Sequence, residues 1–175
     1  MSLEKINSVD IEIAVAAMFN FRANVIVPNI SWGAGLHECD LLIINKNNIA
    51  TEVEIKISKS DLKADFKKKH RWAFINDMYK FKPTKCIKFM YYAVPENLVE
   101  TAVQLLPSQI GILVVKKIVE PKYRMSSIIV TYYKCFYHRR AVGHKLFEPM
   151  ADKQVMNIGR LAAMRIWSLK SHRKH

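Results

Sequence analysis

The chain has 175 residues, half of them hydrophobic, so it can bury one core without disulfides or a structural metal. Lys and Arg number 28 against 15 Asp and Glu, which gives a formal net charge of +13. That surplus exceeds what solubility requires, and it favours a polyanionic partner such as DNA. The alternative is a basic protein that binds no anion, because net charge reports on association and not on fold.

The cysteine and hydropathy patterns exclude further classes of protein. Cys39, Cys86 and Cys135 are far apart and flanked by apolar residues, which predicts reduced, buried thiols. Neither His37 with Cys39 nor Cys135 with His138 has the paired spacing of a structural zinc site. No apolar run approaches the roughly 18 residues of a membrane span, and the N-terminus has no apolar signal core. We therefore expect a cytoplasmic protein with no membrane partner.

The first predicted elements are a helix and three strands. Residues 8–20 predict an amphipathic helix that is capped by Asn7 or Ser8. Its apolar stripe is predicted to contain Val9, Ile13, Ala16 and Ala17. The strands are predicted at 23–30, 38–45 and 49–58. The last two strands flank Lys46-Asn47-Asn48, where Asn tolerates the positive φ that hairpin turns need.

The second half of the chain alternates helices and strands. Ser58 and Asp61 have capping-box spacing, so a helix is predicted to follow the third strand. A strand at 86–95, a helix at 96–106 and a strand at 109–115 predict a right-handed parallel crossover.

The pattern is weaker beyond Pro121. Residues 126–137 are compatible with an extra strand, and 151–170 predict a helix. The residues predicted on one side of that helix are Val155, Ile158, Ala162, Ile166 and Leu169. Because no linker divides the chain, we expect one domain over 1–175, with a core at about 8–117 and a C-terminal extension at about 118–170.

Charged residues alternate with apolar ones in the third predicted strand. Glu52, Glu54 and Lys56 would project from one face of it. A three-residue loop with Asn47 at its apex places Asp40 opposite Glu54, whereas a two-residue Asn-Asn turn separates the two acids. The sequence leaves both turns open.

With the wider loop, Asp40 and Glu54 form a carboxylate pair beside Lys56. Two hard oxygen ligands suit Mg²⁺ or Mn²⁺, which keep several waters and bind together with substrate phosphate. Such a metal polarises a phosphoryl oxygen and activates water, while the ammonium offsets developing charge. The pattern indicates phosphodiester hydrolysis. The alternative is that Glu52, Glu54 and Lys56 lie on the solvated face of an antiparallel strand.

The order of these features resembles the restriction-endonuclease-like PD-(D/E)XK nuclease superfamily. The features are a helix with Glu12, a strand, Asp40, a hairpin, Glu54-Ile55-Lys56 and a basic helix. The stretches EIKISKSDLKADFKKKH, YYAVPENL and IGILVV are similar to its small bacterial and phage branch associated with DNA repair. The resemblance spans about 8–117. It implies an α/β fold with an αβββαβ core, in which helices flank a mixed central sheet, followed by a C-terminal strand and helix.

The resemblance also implies the roles of individual residues. The implied catalytic residues are Asp40, Glu54, Lys56 and Glu12. The implied metal ligands are the side chains of Asp40, Glu54 and Glu12 and the carbonyl of Ile55. Two alternatives remain open: Glu12 could simply complement the helix dipole, and Lys56 could form a purely structural salt bridge. Glu52 is an extra acid that could compete as a ligand.

Basic residues recur every four positions along the helix predicted after the third strand. The predicted DNA-binding residues are Lys59, Lys63, Lys67, Lys68 and Arg71, and Lys69 and His70 widen the stripe. Like charges at this spacing oppose helix formation slightly, so a DNA phosphate backbone explains them better than helix stability does. A solvated helix face is the alternative.

One other segment, YYKCFYHRR at 132–140, interleaves aromatic and basic residues. These aromatic side chains could stack on unpaired bases, or they could pack in the core. We favour the core for at least half of them.

Taken together, the sequence predicts a metal-dependent DNA endonuclease of the repair type. A DNA-binding module without catalysis is the second hypothesis. A regulatory subunit is the third, with a protein partner or a homodimer contact through the C-terminal region.

Overall fold

A computed structural model of the chain describes residues 6–30, 38–65, 86–123 and 127–172. The strands are β1 (Val25–Ile30), β2 (Cys39–Ile44), β3 (Ala50–Ile55), β4 (Ile87–Pro95), β5 (Gly111–Pro121) and β6 (Ile129–Arg139). The helices are α1 (Ser8–Met18), α2 (Lys59–Asp65), α3 (Val99–Leu105, after a 3₁₀ turn at Glu96–Leu98) and α4 (Asp152–His172). The fold is therefore mixed α/β, as the sequence predicts.

The strands form one six-stranded sheet whose spatial order follows the sequence order. β1, β2 and β3 are antiparallel neighbours, β3, β4 and β5 are parallel, and β6 returns antiparallel to β5. Because α3 lies between the parallel strands β4 and β5, the predicted parallel crossover is present. The extra strand predicted beyond Pro121 is β6.

The β2–β3 hairpin has the wider of the two predicted turns. Its register pairs Leu41 with Val53 and Ile44 with Ala50. The Asn45 backbone N–H donates to the Ile49 carbonyl at 3.1 Å, which leaves a three-residue loop with Asn47 at its centre. Asn48 has φ 57°, a left-handed conformation that Asn adopts more readily than most residues. This register brings the two predicted acids to the same face of the sheet.

Helix α1 begins as predicted but packs through a different face. The Asn7 side chain accepts from the Asp10 N–H, and the Asp10 carboxylate accepts from the Asn7 N–H, both at 3.0 Å. The side chains buried in this helix are those of Ile11, Ala14 and Val15. Val9 and Ile13 are 58% and 63% exposed, so the predicted apolar stripe is wrong. Apolar residues occur on all sides of this helix, so their spacing does not indicate which side packs against the sheet.

Helices cover both faces of the sheet. On one face, Leu62 of α2, Ala102 of α3 and Ile158 of α4 pack in a hydrophobic cluster with sheet residues. On the other face, Ile11 and Val15 of α1 pack in a second cluster. Every residue of β3 is consequently buried.

Helix α4 packs through only part of its predicted stripe. Ile158 is fully buried, and Val155 and Ala162 pack beside it, as the spacing predicts. Ile166 is 54% exposed, so the prediction is wrong at that position. The helix runs past the edge of the core there, and helical spacing alone does not reveal where the covering surface ends.

Candidate functional site

The hairpin brings Asp40 and Glu54 into direct contact across β2 and β3. Asp40 Oδ2 accepts a hydrogen bond from the Ile55 backbone N–H at 2.8 Å. Glu54 Oε1 accepts from the Asp40 backbone N–H at 3.4 Å. Each carboxylate is thus anchored by the other's strand, and the convergence that the predicted site requires is present.

Lys56 places its ammonium among three carboxylates. Its Nζ lies 2.9 Å from Glu54 Oε2, 3.5 Å from Asp40 Oδ2 and 3.5 Å from Asp65 Oδ1. Burial by itself would lower the pKa of Lys56, but the charges of Glu54, Asp40 and Asp65 outweigh it and raise that pKa above its ordinary value. Lys56 is therefore a cation at neutral pH, suited to donating hydrogen bonds and not to accepting a proton.

Burial rejects the interpretation of this strand face as solvated. Glu52 and Glu54 are 1% exposed and Lys56 is 4% exposed. Charged groups at that depth require partners, because desolvation of an isolated charge costs several kcal/mol, as an order of magnitude. The Asp40 side chain, at 38% exposure, connects this cluster to solvent.

Two residues of the cluster were not predicted as site residues. Asp65, at the end of α2, is 2% exposed, and its Oδ2 accepts from the Tyr92 hydroxyl at 2.5 Å. Tyr92 belongs to β4, where it pairs with Glu54, and it is buried in the core. The sequence did contain a signal that Asp65 is buried. It lies one turn after the apolar Leu62, so the two residues share one face of α2.

Glu12 of α1 interacts electrostatically with Asp40. Burial and then the charge of Asp40 raise the pKa of Glu12, and Arg165 of α4 opposes that shift. Arg165 Nη2 also donates to the Asn29 carbonyl, so α4 holds a cation near the site that the sequence did not indicate. The acid in the first turn of α1 is Asp10, which makes dipole compensation a weaker explanation of Glu12.

The carboxylates present suit a metal that keeps several waters. Asp40 and Glu54 supply hard oxygen ligands, and Mg²⁺ or Mn²⁺ commonly binds through one or two carboxylates with substrate phosphate. Across residues 6–30, 38–65, 86–123 and 127–172, no group of three or more His, Cys, Asp or Glu side chains is arranged to hold a metal ion. Asp40 and Glu54 are two adjacent carboxylates of the type that such a cation uses. The metal roles of Asp40, Glu54, Glu12 and the Ile55 carbonyl remain predictions.

The basic stripe is described only in its first turn. Ser58 Oγ accepts from the Asp61 backbone N–H at 3.1 Å and caps α2. Lys59 and Lys63 are exposed on the outer side of this helix. The remaining predicted DNA-binding residues, Lys67, Lys68 and Arg71, lie outside the described residues, as do Lys69 and His70.

The aromatic and basic segment at 132–140 forms most of β6. Tyr132, Phe136 and Tyr137 are exposed, and Tyr133 is partly buried against the α1-side cluster. The expectation that at least half of these aromatic side chains belong to the core is therefore wrong. β6 lies at the edge of the sheet, and among the described elements only α1 covers much of it.

The cysteines are free and buried, as predicted. Burial raises the pKa of Cys86 to about 11 and that of Cys135 to about 12. The thiols of Cys86 and Cys135 are therefore protonated at neutral pH and unreactive. Cys135 is buried whereas His138 is exposed, so the structure gives no sign that these two residues ligate one metal.

Comparison with known proteins identifies a fold but no family. No protein-family model matches the sequence, and no curated protein matches it. A protein of unknown function from Silicibacter pomeroyi has a similar solved structure, with a TM-score of 0.62 and 18% identity over 100% of this chain and 97% of that chain. At that identity the similarity shows the fold alone. None of the helices in the described residues is long and apolar enough to cross a membrane.

Proposed function

We propose that the protein is a cytoplasmic, metal-dependent DNA endonuclease of the PD-(D/E)XK type, acting in DNA repair. The observation that carries this proposal is the meeting of Asp40 and Glu54 across β2 and β3, with the Lys56 ammonium 2.9 Å from Glu54. The order α1, β1, β2, β3, α2, β4 supports a restriction-endonuclease-like core.

Asp40 and Glu54 are the residues that would hold Mg²⁺ or Mn²⁺. When bound, such an ion polarises a phosphoryl oxygen and lowers the pKa of a coordinated water. Asp40 is the more accessible of the two ligands, since its side chain is 38% exposed and that of Glu54 is 1% exposed. The backbone hydrogen bonds from Ile55 to Asp40 and from Asp40 to Glu54 fix both carboxylates before any ligand arrives.

Lys56 would stabilise negative charge on the phosphate as it develops. Its raised pKa keeps it protonated, and its burial strengthens the electrostatic interactions that it makes. Asp65 also contacts the ammonium and is itself held by Tyr92. We assign Asp65 and Tyr92 as positioning residues, because they act on the substrate only through Lys56.

The charge of the chain supports DNA as the substrate. The net charge of +13 is far above the balance that solubility requires. Lys59 and Lys63 are exposed on α2, which begins three residues after Lys56. Phosphate contacts from such residues position a nucleic acid without reading its sequence.

A DNA-binding module without catalysis is the second candidate. The observation that favours it is the contact of Lys56 with Asp40, Glu54 and Asp65, because an ammonium already offsets part of their negative charge. In that case the cluster stabilises the fold, and the basic surface alone carries the function.

The deciding experiment compares wild type with Glu54→Gln, which keeps the side-chain volume and removes the charge. Labelled single-stranded, duplex and branched DNA would be incubated with each protein in Mg²⁺, Mn²⁺ or EDTA. We expect wild-type cleavage that EDTA abolishes and that Glu54→Gln lowers by about 100-fold or more. Glu100→Gln, an exposed change on α3, is the matched control and should cleave like wild type.

Two other results would change the conclusion. Cleavage by Glu54→Gln at the wild-type rate would reject this site as the catalytic one. If neither protein cleaves DNA and both bind it equally and in a salt-dependent manner, the binding module is the correct function.

A further inference from the structure

The sheet face that packs against α1 carries a cavity that the proposed active site does not use. The cavity has a volume of about 320 Å³, within the range of small-molecule sites. Thr51 of β3 lines it, three residues before Glu54 and on the opposite face of the strand. The cavity and the acid cluster therefore lie roughly 10 Å apart along β3 and on different sides of the sheet.

Aromatic rings form much of the cavity wall. Phe19, Phe89, Tyr91 and Tyr137 all line it. The Tyr91 and Tyr137 rings are 5.7 Å apart, and Phe19 meets them edge to face at 6.2 and 6.4 Å. Rings fixed by such mutual contacts give a preformed surface for a planar ligand.

Polar groups complete the wall. The Arg140 guanidinium lies 4.3 Å from the centre of the Tyr137 ring, and Arg140 itself is exposed. Asn24, Asn45 and Thr51 also line the cavity, and the Asn24 side chain donates to the Phe19 carbonyl at 2.6 Å. Asn45 is held in place because its Oδ1 accepts from the backbone N–H groups of Asn47 and Ile49 at 2.9 and 3.1 Å. These groups can recognise the hydrogen-bonding edge of a heterocycle.

Gly111 has no side chain, which leaves space for the Tyr91 ring in the cavity wall. Gly111 pairs with Tyr91 across β4 and β5, and a Cβ at this position would overlap the Tyr91 ring. Glycine thus allows the ring to lie over the neighbouring strand, where it faces the cavity.

The charge of the wall selects among planar ligands. Aromatic cavities often bind cations, but Arg140 would repel a cationic ligand and attract an anionic one. Bases stack on aromatic rings and on guanidinium planes, and phosphates pair with arginine. We propose that this cavity binds one nucleotide, with its base among the aromatic rings and its phosphate at Arg140. The nucleotide is either a free mononucleotide or an unpaired unit of a DNA strand.

This proposal does not require that the protein cleave DNA, so binding would be measured in EDTA. The probe is a labelled 12-residue oligothymidylate, followed by fluorescence anisotropy. Competitors are dTMP, dAMP and 2-deoxyribose 5-phosphate, which lacks a base. We expect Tyr137→Leu to weaken oligonucleotide binding about tenfold and Tyr137→Phe to keep it, because stacking needs the ring and not the hydroxyl.

A separate substitution tests the role of Arg140 in the cavity. Arg140→Gln should weaken binding and reduce the slope of affinity against salt by about one phosphate contact. Since Arg140 is exposed, this variant should fold even if Tyr137→Leu does not.

Two exposed residues that do not line the cavity, Tyr132 and Arg160, provide matched controls. Tyr132, on the same strand, is 38% exposed, close to the 39% of Tyr137, and does not line the cavity. Arg160 is an exposed arginine on α4. Tyr132→Leu and Arg160→Gln should bind like wild type.

The competitors identify the source of the nucleotide. Displacement by dTMP but not by the sugar phosphate supports a free mononucleotide. If only the oligonucleotide binds and Tyr137→Leu still weakens it, the occupant is an unpaired nucleotide of DNA. The proposal is overturned if Tyr137→Leu and Arg140→Gln bind as tightly as their controls. It is also overturned if wild type binds neither the oligothymidylate nor dTMP. Loss of cleavage in Glu54→Gln with normal oligonucleotide binding leaves it intact.

Discussion

Charged and apolar residues alternate along β3 and continue to Lys56, so the two faces of the strand differ in chemistry. Glu52, Glu54 and Lys56 lie on the face covered by α2, α3 and α4, and Val53 and Ile55 face α1. In an antiparallel sheet with one wet face, the charged side would be solvated. Here both faces are buried. An alternating strand in a covered sheet therefore places its charges inside the protein, where each needs a specific partner.

The two faces are also stabilised differently. On the α1 face, apolar side chains and aromatic rings make most of the contacts around the cavity, and removal of a few atoms there costs mainly packing energy. On the opposite face, Lys56 and its carboxylates balance one another, so removal of one charge leaves the others uncompensated. We therefore expect mutations on the charged face to have larger effects than mutations of similar size on the other.

The largest effect is expected for Lys56→Met, which keeps the apolar stem and removes the charge. The change should destabilise the fold by about 3–5 kcal/mol, because buried Glu54 and Asp65 lose their counter-charge. Urea denaturation at neutral pH measures it. Lys59→Met, at an exposed position on α2, is the control and should change stability by less than about 0.5 kcal/mol.

The stability difference between wild type and Lys56→Met should depend on pH. The folded-state pKa of Lys56 is raised, so its stabilising contribution is fully present below its ordinary value of 10.5. That contribution is lost as pH rises through the folded pKa. The stability difference between wild type and Lys56→Met should shrink in this alkaline range, and a constant difference would contradict the assigned ion contacts.

A smaller effect is expected for Tyr92→Phe, which removes only the hydroxyl that donates to Asp65. A buried hydrogen bond to a charged group contributes about 1.5–3 kcal/mol, so thermal or urea unfolding should detect its loss. Tyr132→Phe removes an exposed hydroxyl that donates to Glu120 at 2.8 Å. That control should cost about 0.5 kcal/mol or less, since solvent replaces the lost bond. Equal costs would show that burial does not distinguish the two pairs.

On the opposite face, Gly111→Ala should destabilise the protein by about 1–3 kcal/mol. The added methyl group overlaps the Tyr91 ring and approaches the Ala141 backbone nitrogen at 2.8 Å. Gly159→Ala is the control, because nothing lies within 4 Å of its added Cβ and the residue is in α4. It should stabilise the helix by up to about 1 kcal/mol. The two changes in unfolding free energy should therefore have opposite signs.

The smallest effect is expected at Glu12 of α1, whose carboxylate interacts electrostatically with Asp40. Because burial and Asp40 raise its pKa from 4.5, the ionised form is disfavoured in the folded state. Ionisation of Glu12 therefore costs stability as pH rises from below 4.5 through the folded pKa, so the stability of wild type relative to Glu12→Gln should fall over that range. Urea denaturation at acidic and neutral pH measures the difference. The exposed change Glu100→Gln is the control, and an equal response from both variants would reject the role of Asp40.

Much of the fold and two of the three carboxylates around Lys56 could be predicted from the sequence. The alternation in β3 and the Ser58 cap of α2 depend on near neighbours, and both predictions are confirmed. The turn also depends on near neighbours, but the sequence left two geometries open and the structure has the wider one. Asp65 was missed because it contacts Lys56 only after α2 folds back onto the sheet. Arg165 was missed because α4 reaches β1 from a distant part of the chain.

The sequence by itself determined the strand alternation, the loop chemistry that permits Asp40 to face Glu54, and the surplus of positive charge. These depend on backbone geometry and composition, which act over a few residues or over the whole chain. Only the tertiary structure decided that both faces of β3 are buried, which side of α1 packs, and which residues surround Lys56. Such choices depend on long-range packing, because a residue is buried only when a distant segment covers it.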